Sequence, residues 1–321
     1  MSQALRAPAP APSDDATTIR HGTAYGFLAY LLWGVLPLYF ALLLPATPWE
    51  VLGHRVIWSL LICLVLLGAA RQLRWALDMF RDRRLLLPMA AAGALIAVNW
   101  TVYTVAVMSG HVTEAALGYF LNPLVTVAMG VILLRERLRP AQWAAVGTGL
   151  VAGVYLSIDY GTLPWISLTL AFSFATYGLI KKQIGGSLSA VQSLTGETVV
   201  MLPLAVGLVV WLAVTDQQTF VGHGAGHATL LVLTGLITAV PLLLFAASAK
   251  RVPLVTIGLL QFVAPVLQLL SGVLVLGELV PASRWVGFAL VWAALVILSV
   301  DSIVSSGRAR RLARAAEGAA C

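Results

Sequence analysis

The sequence predicts an all-α polytopic membrane protein, ten transmembrane helices arranged as two inverted five-helix repeats. Three observations carry this: an apolar, charge-poor composition, a one-sided distribution of Lys and Arg, and an internal duplication. Of 321 residues, 60% are apolar and 10% charged, whereas a soluble domain carries about 25% charge; mean hydropathy is +0.92. A span of roughly 20 residues crosses a hydrocarbon core of ~30 Å, so the length accommodates about ten. A soluble enzyme and a disordered chain are both excluded by these values. Cys63 lies inside an apolar run, far in sequence from Cys321, so no bridge between them is expected.

Apolar segments fall at about 22–44, 49–70, 85–108, 112–134, 140–158, 163–180, 190–214, 229–249, 253–277 and 283–303. Backbone amides facing lipid find no water, and the short alternating pattern of barrel strands is missing, so these segments are read as helices. Assigning alternate connections to alternate sides places 18 of the 20 Lys and Arg on one side. They are Arg6, Arg20, Arg71, Arg74, Arg81, Arg83, Arg84, Arg135, Arg137, Arg139, Lys181, Lys182, Lys250, Arg251, Arg308, Arg310, Arg311 and Arg314. Arg284 falls on the other side and Arg55 within the second segment. Lys and Arg bias loops toward the cytoplasm, so both termini are expected there, in the inner membrane of a bacterium. A missed segment would move every later loop to the wrong side. The net charge of +7 then reflects topology, and no nucleic-acid partner is implied.

The stretch 1–21 is rich in Ala, Pro and Ser and reads as a disordered tail rather than a signal peptide, because the apolar run after it is too long for an h-region. Residues 305–321 read as a basic cytoplasmic tail. Between the second and third segments, Leu73, Ala76, Leu77 and Phe80 recur at three-to-four spacing among arginines. This fits a short interfacial helix or a solvated basic loop.

A shift of 142 residues superimposes Leu117, Phe120, Pro123, Gly130, Val131, Glu136 and Trp143 on Leu259, Phe262, Pro265, Gly272, Val273, Glu278 and Trp285 without a gap. The fourth segment maps onto the ninth and the fifth onto the tenth. The repeats are 22–158 and 159–304, with five helices each. An odd number per half makes the second copy enter from the opposite side, which makes alternating access mechanically natural.

The residues of the duplication also carry a resemblance. LLRERLRPAQW (Leu133 to Trp143) and LGELVPASRW (Leu276 to Trp285) are similar to the GERL-x-x-x-QW box of the EamA-type drug/metabolite transporter superfamily. LLWGVLPLYF (31–40), EVLGHRVIWS (50–59), the Asn99-Trp100 pair, EAALGYFLNPLV (114–125), LPWISLTLAFSFATYGLIKK (163–182) and TAVPLLLFAASAKR (238–251) resemble its RarD branch. The resemblance implies a ten-span inner-membrane permease of metabolites or drugs, a branch associated with chloramphenicol; it suggests export, while the symmetry of the halves also permits exchange or uptake. Arg135 stands where the first box usually has Gly.

Polar side chains at membrane depth usually face the bundle interior. Asn99, Trp100 and Tyr103 in the third segment, and Tyr119 and Asn122 around Pro123 in the fourth, are candidate substrate contacts, as are Tyr177 in the sixth and Gln261 and Gln268 around Pro265 in the ninth. Thr126 continues the stripe of Tyr119 and Asn122. Helices opened by proline at mid-depth expose hydrogen-bonding groups; the alternative is interhelical amide glue with ordinary kinks. His54, Arg55, Glu114 and Glu197 are candidates for gating or coupling. Glu50 and His54, four apart, read either as a proton-sensitive pair or as a structural ion pair with Arg55 snorkelling to the headgroups. Glu197, the deepest acid, reads as a proton carrier or as the partner of a hydroxyl, Lys181 or Lys182. Glu114 beside His111 reads as a cap, and Glu136 and Glu278 as structural. His223 and His227 flank Gly-Ala-Gly, which favours a flexible turn over a metal site.

These features point to a secondary transporter of a small amphipathic metabolite or drug, embedded in lipid, with protons as a candidate coupling ion and no cofactor. A non-transporting receptor or scaffold is the alternative. An intramembrane enzyme ranks lower because H-E-x-x-H and G-x-S-x-G do not occur, and an ATP-driven pump because the phosphate-binding loop is missing.

Overall fold

A computed structural model of the chain describes residues 13–79, 82–134, 138–184, 188–252 and 254–319, and its regular structure there is helical throughout. The first span is α1 (Ser13–Gly34), continued after a break at Val35 by α2 (Leu36–Ala41). Pro37 causes the break, since it has no N–H to offer the Trp33 carbonyl four residues back. The next spans are α3 (Pro48–Ala69), α5 (Arg83–Met108), α6 (Val112–Leu134) and α7 (Pro140–Tyr160). A six-residue helix, α4 (Leu73–Asp78), occupies the basic connection before α5. The second half contains α8 (Trp165–Ile184), α9 (Ala190–Val214) and α10 (Gly224–Ala249). Its fourth span is assembled from α11 (Leu254–Leu260), α12 (Val263–Leu270) and a π-helical turn (Ser271–Val275), and α13 (Ala282–Ala319) completes it.

Nine of these spans are long and apolar enough to cross a bilayer on those grounds alone, among the described residues. The tenth, α8, is diluted by Ser167, Thr169, Ser173, Thr176, Tyr177, Lys181 and Lys182, and it packs against α5 and α6. The outer surface is apolar: Val65, Leu150, Ile158 and Leu274 are largely exposed, as side chains facing lipid are.

Several boundaries differ from the sequence reading. Residues 13–21, expected to be disordered, are the first turns of α1; Ser-Asp-Asp at its start is a composition that favours a helix N-terminus. Residues 1–12 lie outside the described residues, as do Arg135, Glu136 and Arg137 of the first box. The expected turn at Gly-Ala-Gly is instead the start of α10. Gly222 and Gly224 take positive φ, and glycine costs little in a first turn whose amides need no helical partner. The basic stretch after residue 304 continues α13 through Ala319, in keeping with its Ala and Arg content. Pro265 interrupts the ninth span at Gln261 and Phe262, whereas α6 stays continuous through Pro123.

The two halves are related by the packing itself. α1 packs on α10 as α8 packs on α5; α12 packs on α1 as α6 does on α8; α10 packs on α3 as α5 does on α9. α3, α6 and α7 pack on their own counterparts α9, α12 and α13. Exchanging each span with the one five later thus leaves these neighbours unchanged, as a twofold relation requires. Two ion pairs join α7 and α13: Arg139 at the start of α7 with Asp301 near the end of the apolar part of α13, and Arg284 at the start of α13 with Asp159 at the end of α7, the latter at 3.5 Å. The earlier residue of one helix pairs with the later residue of the other in both, so the two helices are antiparallel. Asp159 and Asp301 are themselves 142 apart.

Tight contacts hold the bundle. A Cβ on Gly235 of α10 would lie 2.6 Å from the backbone of Trp58, and one on Gly118 of α6 would lie 2.8 Å from the Ser167 carbonyl. Absent side chains let these helices approach closely.

Candidate functional site

Between the halves lies a cavity of about 720 Å³ walled by α1, α2, α3, α5, α6, α8, α9, α10, α11 and α12. Its outer rim is Lys181, Leu188, Ser189, Ala190, Ala249 and Lys250, at the helix ends and connections on the face that carries both termini. Its floor contains Arg55 and Tyr103. It therefore opens toward the face of the termini.

The opposite face is closed by contacts between the halves. Glu50, in the first turn of α3, accepts the backbone N–H groups of Thr219 (2.7 Å) and Phe220 (2.9 Å) and the Thr219 hydroxyl (2.8 Å). Glu278 accepts the N–H groups of Val112 and, at 2.8 Å, Thr113, the first residues of α6. A carboxylate on a helix N-terminus satisfies orphan donors and opposes the dipole. The His54 ring stacks on Phe220 at 4.7 Å and accepts the Trp58 indole N–H at 3.1 Å. A snorkelling Arg55 paired with Glu50 is not what is seen: Glu50 clasps the α9–α10 connection, and Arg55 is turned inward, 4% exposed.

All eight residues nominated as substrate contacts, Asn99, Trp100, Tyr103, Tyr119, Asn122, Tyr177, Gln261 and Gln268, line this cavity. Of the four gating candidates, Arg55 and Glu197 line it; His54 and Glu114 are not among its lining residues. Thr126 is exposed, its hydroxyl bonded to the Asn122 carbonyl.

Their hydrogen bonds separate free groups from occupied ones. The Asn99 amide donates to the Leu170 carbonyl and the Ser173 hydroxyl, both at 3.1 Å, and its oxygen accepts the Tyr119 hydroxyl at 3.1 Å. It ties α5 to α6 and α8. Gln268 donates at 3.1 Å to the Trp33 carbonyl, the one that Pro37 leaves without a helical partner. Glu197 accepts from Lys181 at 2.6 Å, from Tyr177 at 3.2 Å and from Ser193 at 3.3 Å, so it is an ion-pair partner rather than a lone acid. Groups with no hydrogen-bond partner among the described residues include Arg55 Nη1, Tyr103 Oη, Asn122 Oδ1 and Gln268 Oε1. Tyr30, Trp33 and Phe245 form an aromatic cluster in the wall, ring centroids 5.4 to 6.0 Å apart.

Sequence reasoning passed over one relation that the duplication contains. The same shift of 142 that aligns the boxes places Thr47 on Ser189, both helix-capping residues, and Arg55 on Glu197. His223 and His227 lie 5.7 Å apart, and His227 Nε2 meets the Thr219 hydroxyl at 2.7 Å; no group of three His, Cys, Asp or Glu suited to a metal occurs among the described residues.

Apolar helices with an outward apolar surface, packed in two equivalent halves around a polar-floored cavity open to one side, define a polytopic membrane protein of the inverted-repeat type. The chain belongs to the EamA-like transporter family, which it matches over residues 20–158 and 163–300. It is 51% identical to "Protein RarD" of Streptomyces exfoliatus over 92% of this chain and 94% of that protein. Identity to "Protein RarD" of Escherichia coli K12 is 39%, over 92% of this chain and 99% of that one. "Uncharacterized transporter YojE" of Bacillus subtilis is 37% identical over 88% of this chain and 95% of its own. A solved crystal structure at 21% identity shares the fold, with a TM-score of 0.56 over 86% of this chain and 96% of that one. The chain is accordingly a multi-pass bacterial membrane transporter of the RarD type, with a small-molecule substrate, and not an enzyme.

Proposed function

We propose that this protein is a secondary active transporter that exports a small amphipathic metabolite or drug by alternating access, with the cavity between the repeats as the substrate site. One observation supports this above others: the cavity is open toward one face and closed at the other by the Glu50 and Glu278 clasps, each joining one half to the other. A twofold-related pair of halves has a second arrangement of similar energy in which open and closed sides exchange. In this reading the face of the termini is cytoplasmic, in the bacterial inner membrane, following the Lys and Arg distribution. Asn99, Trp100, Tyr103, Tyr119, Asn122, Tyr177, Gln261 and Gln268 surround the substrate; Arg55 and Glu197 respond to it; His54 and Glu114 act at the closed side. The repeats 22–158 and 159–304 are the moving bodies.

Protons are the proposed coupling ion, with Glu197 as carrier. Glu197 faces the cavity and holds Lys181 at its rim, which is what supports this assignment. Flux in sealed proteoliposomes tests both parts. Accumulation driven by a solute gradient supports transport, and binding without flux replaces it with a receptor. Substrate movement indifferent to an imposed pH gradient removes the proton.

A further inference from the structure

Arg55 is a buried cation with no anion beside it among the described residues. Nε donates to the Thr238 hydroxyl at 2.8 Å, and the guanidinium carbon lies 4.5 Å from the Trp100 ring centroid and 5.6 Å from that of Phe40. Nη1 meets no acceptor among the described residues. The acids that could neutralise it are occupied: Glu50 is bound to Thr219 and Phe220, and Glu197 to Lys181. A second donor, Tyr103 Oη, also lacks a partner among the described residues, and the Tyr103 ring packs on the same Phe40 at 6.0 Å. Arg does not deprotonate in proteins. A buried guanidinium left uncompensated is unfavourable by several kcal/mol, and an ionisable group held at membrane depth marks a functional site.

The duplication sharpens the point. Arg55 and Glu197 are equivalent positions, each seven residues beyond the first residue of its helix, entering from opposite faces. At 1.5 Å per residue each lies roughly 10 Å below its own face, which leaves ~10 Å of depth between them in a ~30 Å core. Glu197 has its counter-ion. Arg55 has none among the described residues, so the unbalanced charge in the cavity floor is positive, and the Tyr30, Trp33 and Phe245 rings belong to the same cavity wall.

We propose that the cavity takes an organic anion whose carboxylate docks on the Arg55 guanidinium, beside the Tyr103 hydroxyl, while its apolar or aromatic body lies against Trp33 and Phe245. This rests on the transport reading for the identity of the site and adds the substrate's chemical class. Guanidinium and carboxylate match in geometry and make strong charge-assisted hydrogen bonds. The bound anion also supplies the compensation that Arg55 lacks, so the cavity can close over a neutral pair rather than a bare charge.

The test uses the purified full-length chain in detergent and three probes sharing one ring system: indole-3-acetate, indole-3-acetamide and tryptamine. Calorimetry is expected to rank the acid about tenfold or more tighter than the amide, with the amine weakest. Arg55→Gln should lower acid affinity by about tenfold or more and leave the amide unchanged; Arg55→Lys should recover part of the loss. Tyr103→Phe should weaken the acid alone, and it decides the matter with the wild-type ranking if Arg55→Gln does not fold. The inference fails if the acid does not bind, if amide or amine binds equally well, or if both Arg55→Gln and Tyr103→Phe leave the acid unaffected. The two readings fail separately: acid bound through Arg55 but never carried across a vesicle removes transport, whereas gradient-driven flux of tryptamine without acid binding removes the anion.

Discussion

Gln268 and Asn122 both reach the cavity wall, yet their side chains are differently employed. Gln268 holds the carbonyl that Pro37 orphans at Trp33, and among the described residues its Oε1 is left over and Asn122 Oδ1 has no partner. Gln268→Leu is therefore expected to lower stability by ~1–3 kcal/mol, the cost of leaving a buried acceptor unpaired, seen as a lower melting temperature in detergent. Asn122→Leu should leave melting nearly unchanged. Both should abolish the stabilisation that a cavity ligand confers. A ligand-induced shift that survives both changes would show that the ligand sits elsewhere. Which polar residues face the cavity was legible in the sequence, because polar groups at depth avoid lipid. Which of their atoms remain free was not. Asn99 looks like a contact residue by position, but its amide is taken up by Leu170, Ser173 and Tyr119, partners 20 to 74 residues away that no local pattern reveals.

At the scale of helices, close approach and closure carry the predictions. Gly235→Ala would press a Cβ to within 2.6 Å of the Trp58 backbone, and a neighbouring backbone cannot yield as a flexible side chain does. Overpacking of this kind costs ~1–3 kcal/mol, whereas Gly207→Ala, with nothing within 4 Å of the new methyl, should be neutral or slightly stabilising; paired melting curves compare them. Glu50→Ala strips the acceptors from Thr219 and Phe220, so the closed face should open more often. A cysteine placed at Asn122 in a Cys63→Ala, Cys321→Ala background is then expected to react faster with an impermeant thiol reagent added from that face; an unchanged rate would make Glu50 a mere cap. The helices themselves were readable from length and hydropathy. Their ends were not always, since α10 begins through two glycines and α13 runs on through the basic stretch, and both choices depend on backbone states that composition leaves open. Nor did the prolines announce their effects: Pro37 and Pro265 break their spans while Pro123 does not.

For the molecule as a whole, the decisive quantity is orientation. Reporter fusions after Asp216 and after Arg251 should report opposite compartments, with the Arg251 fusion cytoplasmic. Signals from the same compartment would dismantle the inverted arrangement and every statement about the open face. The antiparallel pairing of α7 with α13 through Arg139–Asp301 and Arg284–Asp159, and the exchange symmetry of the remaining contacts, are what a head-to-tail duplication of five helices produces.

The amino-acid sequence by itself determined the ten apolar spans, the duplication at a separation of 142 residues, the sidedness of the basic connections and the family. All of these follow from composition and order along the chain, because lipid admits only segments that satisfy their own backbone. Tertiary structure alone decided which face is closed, that Glu50 and Glu278 close it, that Glu197 has a counter-ion, and that Arg55 stands over the cavity floor without one. Those are relations between atoms on different helices, set by how two halves dock, and a linear pattern of residue types contains no distances.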